Sequence, residues 1–247
     1  MIVVPCYNEE RRLPLESYLA FTDGGPGDVG FLLVDDGSRD ATLDRLRELA
    51  RQRPDRFRVL ALPRNAGKAE AVRRGVLAAL EGGPQLVGFW DSDLATPLEA
   101  IPAMAALMDA DPGLEMVFGA RVKLLGHDIQ RNPWRHYLGR VGGTLISLLL
   151  GMAIYDSQCG AKLFRVTGLM ERVFGDPFLS RWLFDVELIL RFQAAWRETG
   201  RPSGREPIRE LPLPRWSEVA GSKVKPADYL RALADYGRLY HRYRGGS

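Results

Sequence analysis

Leu86-Val87-Gly88-Phe89-Trp90-Asp91-Ser92-Asp93-Leu94-Ala95-Thr96-Pro97-Leu98-Glu99 packs three signals into one short stretch. Leu86–Asp91 begins as an apolar run without alternation, the pattern of a strand buried on both faces. Thr96-Pro97-Leu98-Glu99 has the form of a capping box with proline at the first helical position, and predicts a helix through about Met108. Between them, two carboxylates stand two residues apart where the chain leaves the sheet.

The same grammar extends to either side. Ile2–Pro5, Phe31–Asp35, Phe57–Leu62 and Met116–Ala120 are further short apolar runs. Helical spacing joins them: Leu43, Leu46 and Leu49 recur on one face, as do Val72, Val76, Ala79 and Leu80. A β-α-β-α-β order predicts an α/β fold with a parallel sheet and right-handed crossovers. Ligands of such sheets sit at the carboxyl ends of the strands. The second half is less regular. Arg131–Ile154 reads as one or two helices, Phe184–Trp196 as a helix, Ile208–Leu211 as a short strand and Asp228–Tyr243 as a final amphipathic helix.

At 247 residues the chain suits one α/β domain with a full core. No repeat or linker divides it. Its 34 Lys and Arg against 31 Asp and Glu, a net charge of +3, rule out reading the whole chain as a nucleic-acid binder from charge alone. Cys6 and Cys159 form neither a disulfide framework nor a CxxC metal motif, which fits a reducing compartment. The first residues lack the basic and then apolar pattern of a signal peptide and read as a strand. No run reaches the ~18 apolar residues of a membrane span; Val141–Ile154 comes nearest and contains three glycines.

Three strand ends carry the acids. The first runs into Val4-Pro5-Cys6-Tyr7-Asn8-Glu9-Glu10, the second into Val34-Asp35-Asp36-Gly37-Ser38, and the fourth into Asp91-Ser92-Asp93. Carboxylates converging on one edge repel unless a cation or hydrogen-bond donors stabilise them. A divalent metal or a base-and-ribose site would do so; Mg2+ or Mn2+ prefers oxygen ligands, often one or two carboxylates plus substrate phosphates. Asn65-Ala66-Gly67-Lys68 opens a helix after the third strand. Its plain reading is a solvated lysine at a helix start; its functional one is a cation and a flexible glycine beside an anion, aided by the helix dipole. The spacing is not that of a P-loop.

Those motifs, in that order, resemble the family 2 glycosyltransferases. Asp156-Ser157-Gln158-Cys159-Gly160-Ala161-Lys162-Leu163-Phe164, Phe184-Asp185-Val186-Glu187 and Trp216-Ser217-Glu218-Val219-Ala220-Gly221-Ser222-Lys223-Val224 resemble its dolichyl-phosphate β-glucosyltransferase branch. The resemblance implies a GT-A, Rossmann-like, mostly parallel sheet flanked by helices with a C-terminal helical extension. It implies one domain over 1–247, with a nucleotide-sugar half at 1–125 and an acceptor half with the C-terminal helix at 126–247. Pro5, Tyr7 and Glu9 would hold the nucleoside, Asp36 the base, Lys68 the ribose or diphosphate. Asp91 would touch ribose or sugar and Asp93 would bind Mg2+ or Mn2+. The related mannosyl-transferring branch has a glutamine two residues past the acidic triplet; Ala95 stands here, so water would complete the metal shell.

Between Gly119 and Arg140 five basic residues face one acid, and the apolar Leu145–Leu150 follows. This suits an anionic lipid head with an apolar tail, or a solvated basic face beside a core helix. With the resemblance, Arg121, Arg131, Lys162 and Lys223 are the expected acceptor-phosphate contacts, Lys223 on a loop that closes with Gly221 as hinge. Asp185 and Glu187 lie at a helix start. One of them approaches the sugar or acts as a base, or it complements the helix dipole. The three histidines are assigned no role. The implied reaction moves a hexose, with glucose from UDP-glucose favoured, onto a polyprenyl or dolichyl phosphate with inversion, at the cytoplasmic face of a membrane and without nucleic acid. The alternatives are GDP-mannose as donor, a non-lipid acceptor, or a non-catalytic nucleotide-binding, membrane-associated protein. A nucleotidyltransferase would need a Gly-rich basic first loop, where Pro5-Cys6-Tyr7-Asn8 stands.

Overall fold

In a computed structural model, residues 1–25, 28–130, 133–200, 207–217 and 226–245 are described. The first half alternates as its apolar runs imply: β1 (Ile2–Cys6), α1 (Leu15–Gly24), β2 (Phe31–Asp35), α2 (Thr42–Gln52), β3 (Phe57–Ala61), α3 (Lys68–Leu80), β4 (Leu86–Trp90), α4 (Ala100–Ala110) and β5 (Met116–Ala120). Then follow β6 (Asp128–Gln130), α5 (Pro133–Leu150), β7 (Ala161–Arg165), α6 (Met170–Phe174), α7 (Phe184–Glu198), β8 (Ile208–Pro212), β9 (Arg215–Ser217) and α8 (Pro226–Tyr243).

Seven strands form one sheet in the order β3-β2-β1-β4-β7-β5-β8, and β6 pairs with β9 in a small second ladder. β7 runs antiparallel to both β4 and β5, so β4 and β5 point the same way and end on the same edge. The stretch 126–247, assigned to the acceptor, therefore also supplies β7 and β8 to the sheet. Apolar side chains fill both faces. One core joins α3, α6 and α7 to the sheet around Phe89, Phe164 and Phe192; the other joins α1, α2 and α4 around Tyr18, Phe31 and Trp90. Phe164 stacks on Phe192 at 5.8 Å between centroids, and Tyr18 meets Phe31 edge-on at 5.5 Å.

Elements α1, α6, β6 and β9 have no counterpart among the expectations, and two further departures bear on the site. The helix after the acidic triplet starts at Ala100, because Thr96 serves the core instead of capping. It is buried, its carbonyl accepts the Trp90 indole N–H at 2.8 Å, and its hydroxyl lies 3.8 Å from Cys159 Sγ. Tight turns from Ala100 N to Pro97 O and Ile101 N to Leu98 O precede the first helical turn. β7 is the second departure. A lysine at the second place of a five-residue run hides a central strand, and only its partners, described below, make it tolerable.

Candidate active site

β1, β2 and β4 end side by side and deliver their loops to one edge. The Tyr7–Glu10 and Ser38–Thr42 loops are stitched reciprocally. Asn8 N donates to Ser38 Oγ (3.0 Å), Arg39 N to Asn8 Oδ1 (2.9 Å), and Glu9 N to Thr42 Oγ1 (2.8 Å). Asn8 sits at φ 52°, a conformation Asn tolerates better than most residues. Tyr7 and Pro5 remain partly exposed at this rim, while the Glu9 carboxylate is buried and takes Arg12 Nη2 at 2.5 Å.

Asp36, expected to hydrogen-bond the base, is only 2% exposed. Its carboxylate accepts Ala66 N and Gly67 N, both at 2.8 Å, and Asn65 Nδ2 at 2.8 Å. The acid thus shapes the turn that starts α3. Gly67, at φ 95°, makes that turn possible, and a Cβ there would lie 2.8 Å from the Arg181 guanidinium. Lys68 follows directly. Its ammonium lies 2.5 Å from Asp91 Oδ1. Burial works against its charge, but Asp91 and then Asp185 outweigh that and hold its pKa above the ordinary lysine value.

Asp91 N donates to Gly160 O at 2.9 Å. Asp93, two residues on, accepts Ala95 N at 3.1 Å. Burial, and next the Asp91 carboxylate, push its pKa up, against the pull of the Ala95 N–H and Lys68. A partly buried carboxylate whose charge is disfavoured beside a second acid suits a cation. Among the described residues no three acidic, His or Cys side chains gather for a metal, so Asp93 would hold Mg2+ or Mn2+ together with substrate oxygens, as hard cations commonly bind.

The acceptor residues divide. Arg121 Nε and Nη2 grip Asp156 at 2.5 and 2.6 Å, and its guanidinium lies 5.2 Å from the Trp216 ring centroid. Asp156 is positioned in turn by Glu210, which accepts Asp156 N (2.7 Å) and Tyr155 N (2.9 Å). Lys162 requires a correction: it is 0% exposed and cannot meet a lipid phosphate. Its ammonium donates to Ser157 O, Cys159 O and Asp185 Oδ1 at 2.6–2.8 Å. The same bond closes off one oxygen of Asp185. Glu187 is also corrected. It is fully buried and braces a turn, accepting Leu179 N (2.8 Å), Ser180 N (3.1 Å) and Arg191 Nη2 (2.8 Å). Neither a base nor a sugar contact is available from that position. Arg131, Lys223 and Gly221 lie outside the described residues.

Sequence reading misses Arg181. Its Nη2 donates to Ala66 O at 2.6 Å, bringing a second cation next to Lys68 from more than a hundred residues away. Only the fold brings the two together; the neighbouring Trp182 and Phe184 give no hint of it.

A family model described as glycosyl transferase family 2 matches residues 1–172. The Drosophila melanogaster dolichyl-phosphate beta-glucosyltransferase is 34% identical over 262 residues, covering 100% of this chain and 76% of that protein. The Mus musculus protein of the same name is 34% identical over 238 residues, covering 91% and 69%. Among solved structures, Mycobacterium tuberculosis glucosyl-3-phosphoglycerate synthase with Mn2+, UDP-glucose and phosphoglyceric acid is similar in fold. Its TM-score is 0.67 at 19% identity, over 99% of this chain and 79% of that one.

Proposed function

Because the chain belongs to the family 2 glycosyltransferases, in their dolichyl-phosphate β-glucosyltransferase branch, and is a hexosyltransferase, we propose that it transfers glucose from UDP-glucose to a polyprenyl phosphate with inversion at the anomeric carbon. The observation that carries this reading is the single edge on which Tyr7, the Asp36-built turn, the Lys68–Asp91 pair and Asp93 meet. The names of the relatives support the glucose and the lipid phosphate.

Pro5 and Tyr7 flank the nucleoside at the rim, and Glu9 and Asp36 act through the loops they tie down. Lys68, with Arg181 beside it, faces the diphosphate. Its departure from Asp91 when the donor enters leaves Asp91 free to accept from ribose or sugar hydroxyls. Asp93 would hold a divalent cation, which would supply neutralisation of charge on the leaving group. An oxygen of the lipid phosphate attacks the anomeric carbon from the face opposite UDP, the bond from that carbon to the β-phosphate oxygen breaks, and UDP leaves with the electron pair. A phosphate monoester is already anionic near neutral pH, so the step needs no side-chain base. Catalysis lies in positioning and in charge stabilisation. Arg121, held by Asp156 and Trp216, marks the acceptor side, with Arg131 and Lys223 as further phosphate contacts. Among the described residues no helix is long and apolar enough to cross a membrane, and the enzyme works as a peripheral protein at the cytoplasmic face.

Calorimetric titration with UDP-glucose, GDP-mannose and UDP-N-acetylglucosamine, each with and without Mn2+, tests the donor. UDP-glucose is expected to bind, more tightly with Mn2+, and Asp93→Asn to abolish the difference. Preference for GDP-mannose, or binding of none, overturns the reading.

A further inference from the structure

β5 ends on the same edge as Asp91, and the loop that follows it, residues 121–127, stands at the mouth of the site. Arg121 anchors its start through Asp156. Its far end is pinned by Asp128 N to Pro214 O at 2.9 Å and by His127 Nδ1, which donates to Leu213 O at 2.8 Å. Between these anchors His127 N closes a turn onto Leu124 O at 3.1 Å, with Gly126 at φ 83° in the third position. That position demands a positive φ, which glycine provides. Leu125 is thereby held at the apex, 103% exposed, and Leu124 beside it is 46% exposed. A fixed turn that shows solvent two adjacent leucines is not a by-product of core packing.

Lys123 is exposed on the same loop, immediately before the two leucines. α5 adds a second apolar element tied to the same edge. Leu145 and Leu148, one helical turn apart, are exposed, and the segment after the helix returns through Tyr155 and Asp156 to Glu210 and Arg121.

We propose that the 121–127 loop is a membrane wedge: Leu124 and Leu125 insert into the interfacial layer of a bilayer containing anionic lipid, with Lys123 at the level of the headgroups. Leucines at the tip with Lys123 behind them match the layering of an anionic membrane, apolar below and negative above. Docked this way, the open edge of the sheet faces the headgroups, where a lipid-borne phosphate lies. The proposal rests on the lipid acceptor inferred above and adds the surface through which the enzyme reaches it.

Co-sedimentation with phosphatidylcholine vesicles, with and without phosphatidylglycerol, tests it. The wild type is expected to bind the mixed vesicles, less so at high salt, and to leave pure phosphatidylcholine largely unbound. Leu124→Asp/Leu125→Asp should weaken binding about tenfold or more, given how weakly a single shallow apolar anchor holds, and Lys123→Glu should weaken it further. Both leucines are exposed, so the fold should survive, which circular dichroism checks. Transfer to a short water-soluble prenyl phosphate should be unchanged in the double variant, whereas transfer to a long-chain acceptor in vesicles should slow. If the double variant binds vesicles like the wild type, or if the tip mediates self-association without vesicle binding, the wedge is overturned. If neither protein glucosylates any prenyl phosphate, the lipid-acceptor reading fails instead, whatever the vesicles show.

Discussion

A Cβ on Gly160 would lie 1.9 Å from one oxygen of Asp91 and 2.3 Å from its carboxyl carbon. The Asp91 carboxylate therefore occupies space that only a glycine leaves open, directly over the backbone whose carbonyl receives the Asp91 N–H. Gly160→Ala is expected to displace the carboxylate, and Lys68 with it, and to lower kcat for transfer about a hundredfold, the cost of misplacing a reacting geometry by about 1 Å. The melting temperature should move far less. Steady-state kinetics beside thermal unfolding read both, and a wild-type kcat would show that Asp91 does not need its present position. At this scale the sequence is informative where a residue's place along a strand implies its neighbours. Asp91, Asp93 and Lys68 are legible because each follows one of the parallel strands β3 and β4. Lys162 and Glu187 are not, since no local pattern separates an ammonium or carboxylate facing solvent from one enclosed by carbonyls, N–H groups and rings.

Helix α3 depends on Gly75. A Cβ there would stand 2.3 Å from Val3 Cγ1 and 2.8 Å from Val34 Cγ2, so the helix backbone lies directly on β1 and β2. That contact sets the height of the α3 N-terminus and hence of Lys68. Gly75→Val should cost about 1–3 kcal/mol, the range for overpacking a tight core, seen as a lower urea midpoint with little change in slope. It should also raise the KM for the nucleotide sugar as Lys68 is lifted off the edge. Unaltered stability would mean that the helix and sheet have slack at this point. Helices α2, α3 and α7 are visible in the sequence because their apolar spacing follows the helical period. The start of α4 is misread for a physical reason. Thr96 satisfies every local rule for a cap, but the buried indole of Trp90 needs its carbonyl, and the core requirement prevails. β7 escapes because strand rules weigh a lysine against burial, and its compensation lies on another element.

That compensation belongs to the molecule as a whole. Lys162 on β7 sits between Phe89 of β4 and Phe118 of β5, with ring centroids 5.3 and 5.4 Å from its ammonium, and bonds to Asp185 at the start of α7. The pair fastens the antiparallel strand to the second half of the chain, under the Lys68–Asp91 pair. Lys162→Met leaves the Asp185 carboxylate buried without its partner, and should cost about 3–5 kcal/mol; replacing both by apolar residues should restore much of that. Chemical denaturation of the two variants checks it, and a double variant no better than the single one would show that the Ser157 and Cys159 carbonyls, not Asp185, are the main need. The sequence by itself determined the alternation of strands and helices, the parallel run of β1 to β4 and the edge bearing Asp36, Asp91 and Asp93, because periodicity and the order of elements along the chain are local properties that survive in one dimension. Only the tertiary structure decided which charges are free to meet a substrate. The insertion of β7 between β4 and β5, the enclosure of Lys162 and Glu187, the arrival of Arg181 beside Lys68 and the outward set of Leu125 all depend on contacts between residues far apart in the chain. Burial and the partners of a charge are set by what packs around it, and nothing in the neighbouring sequence records that.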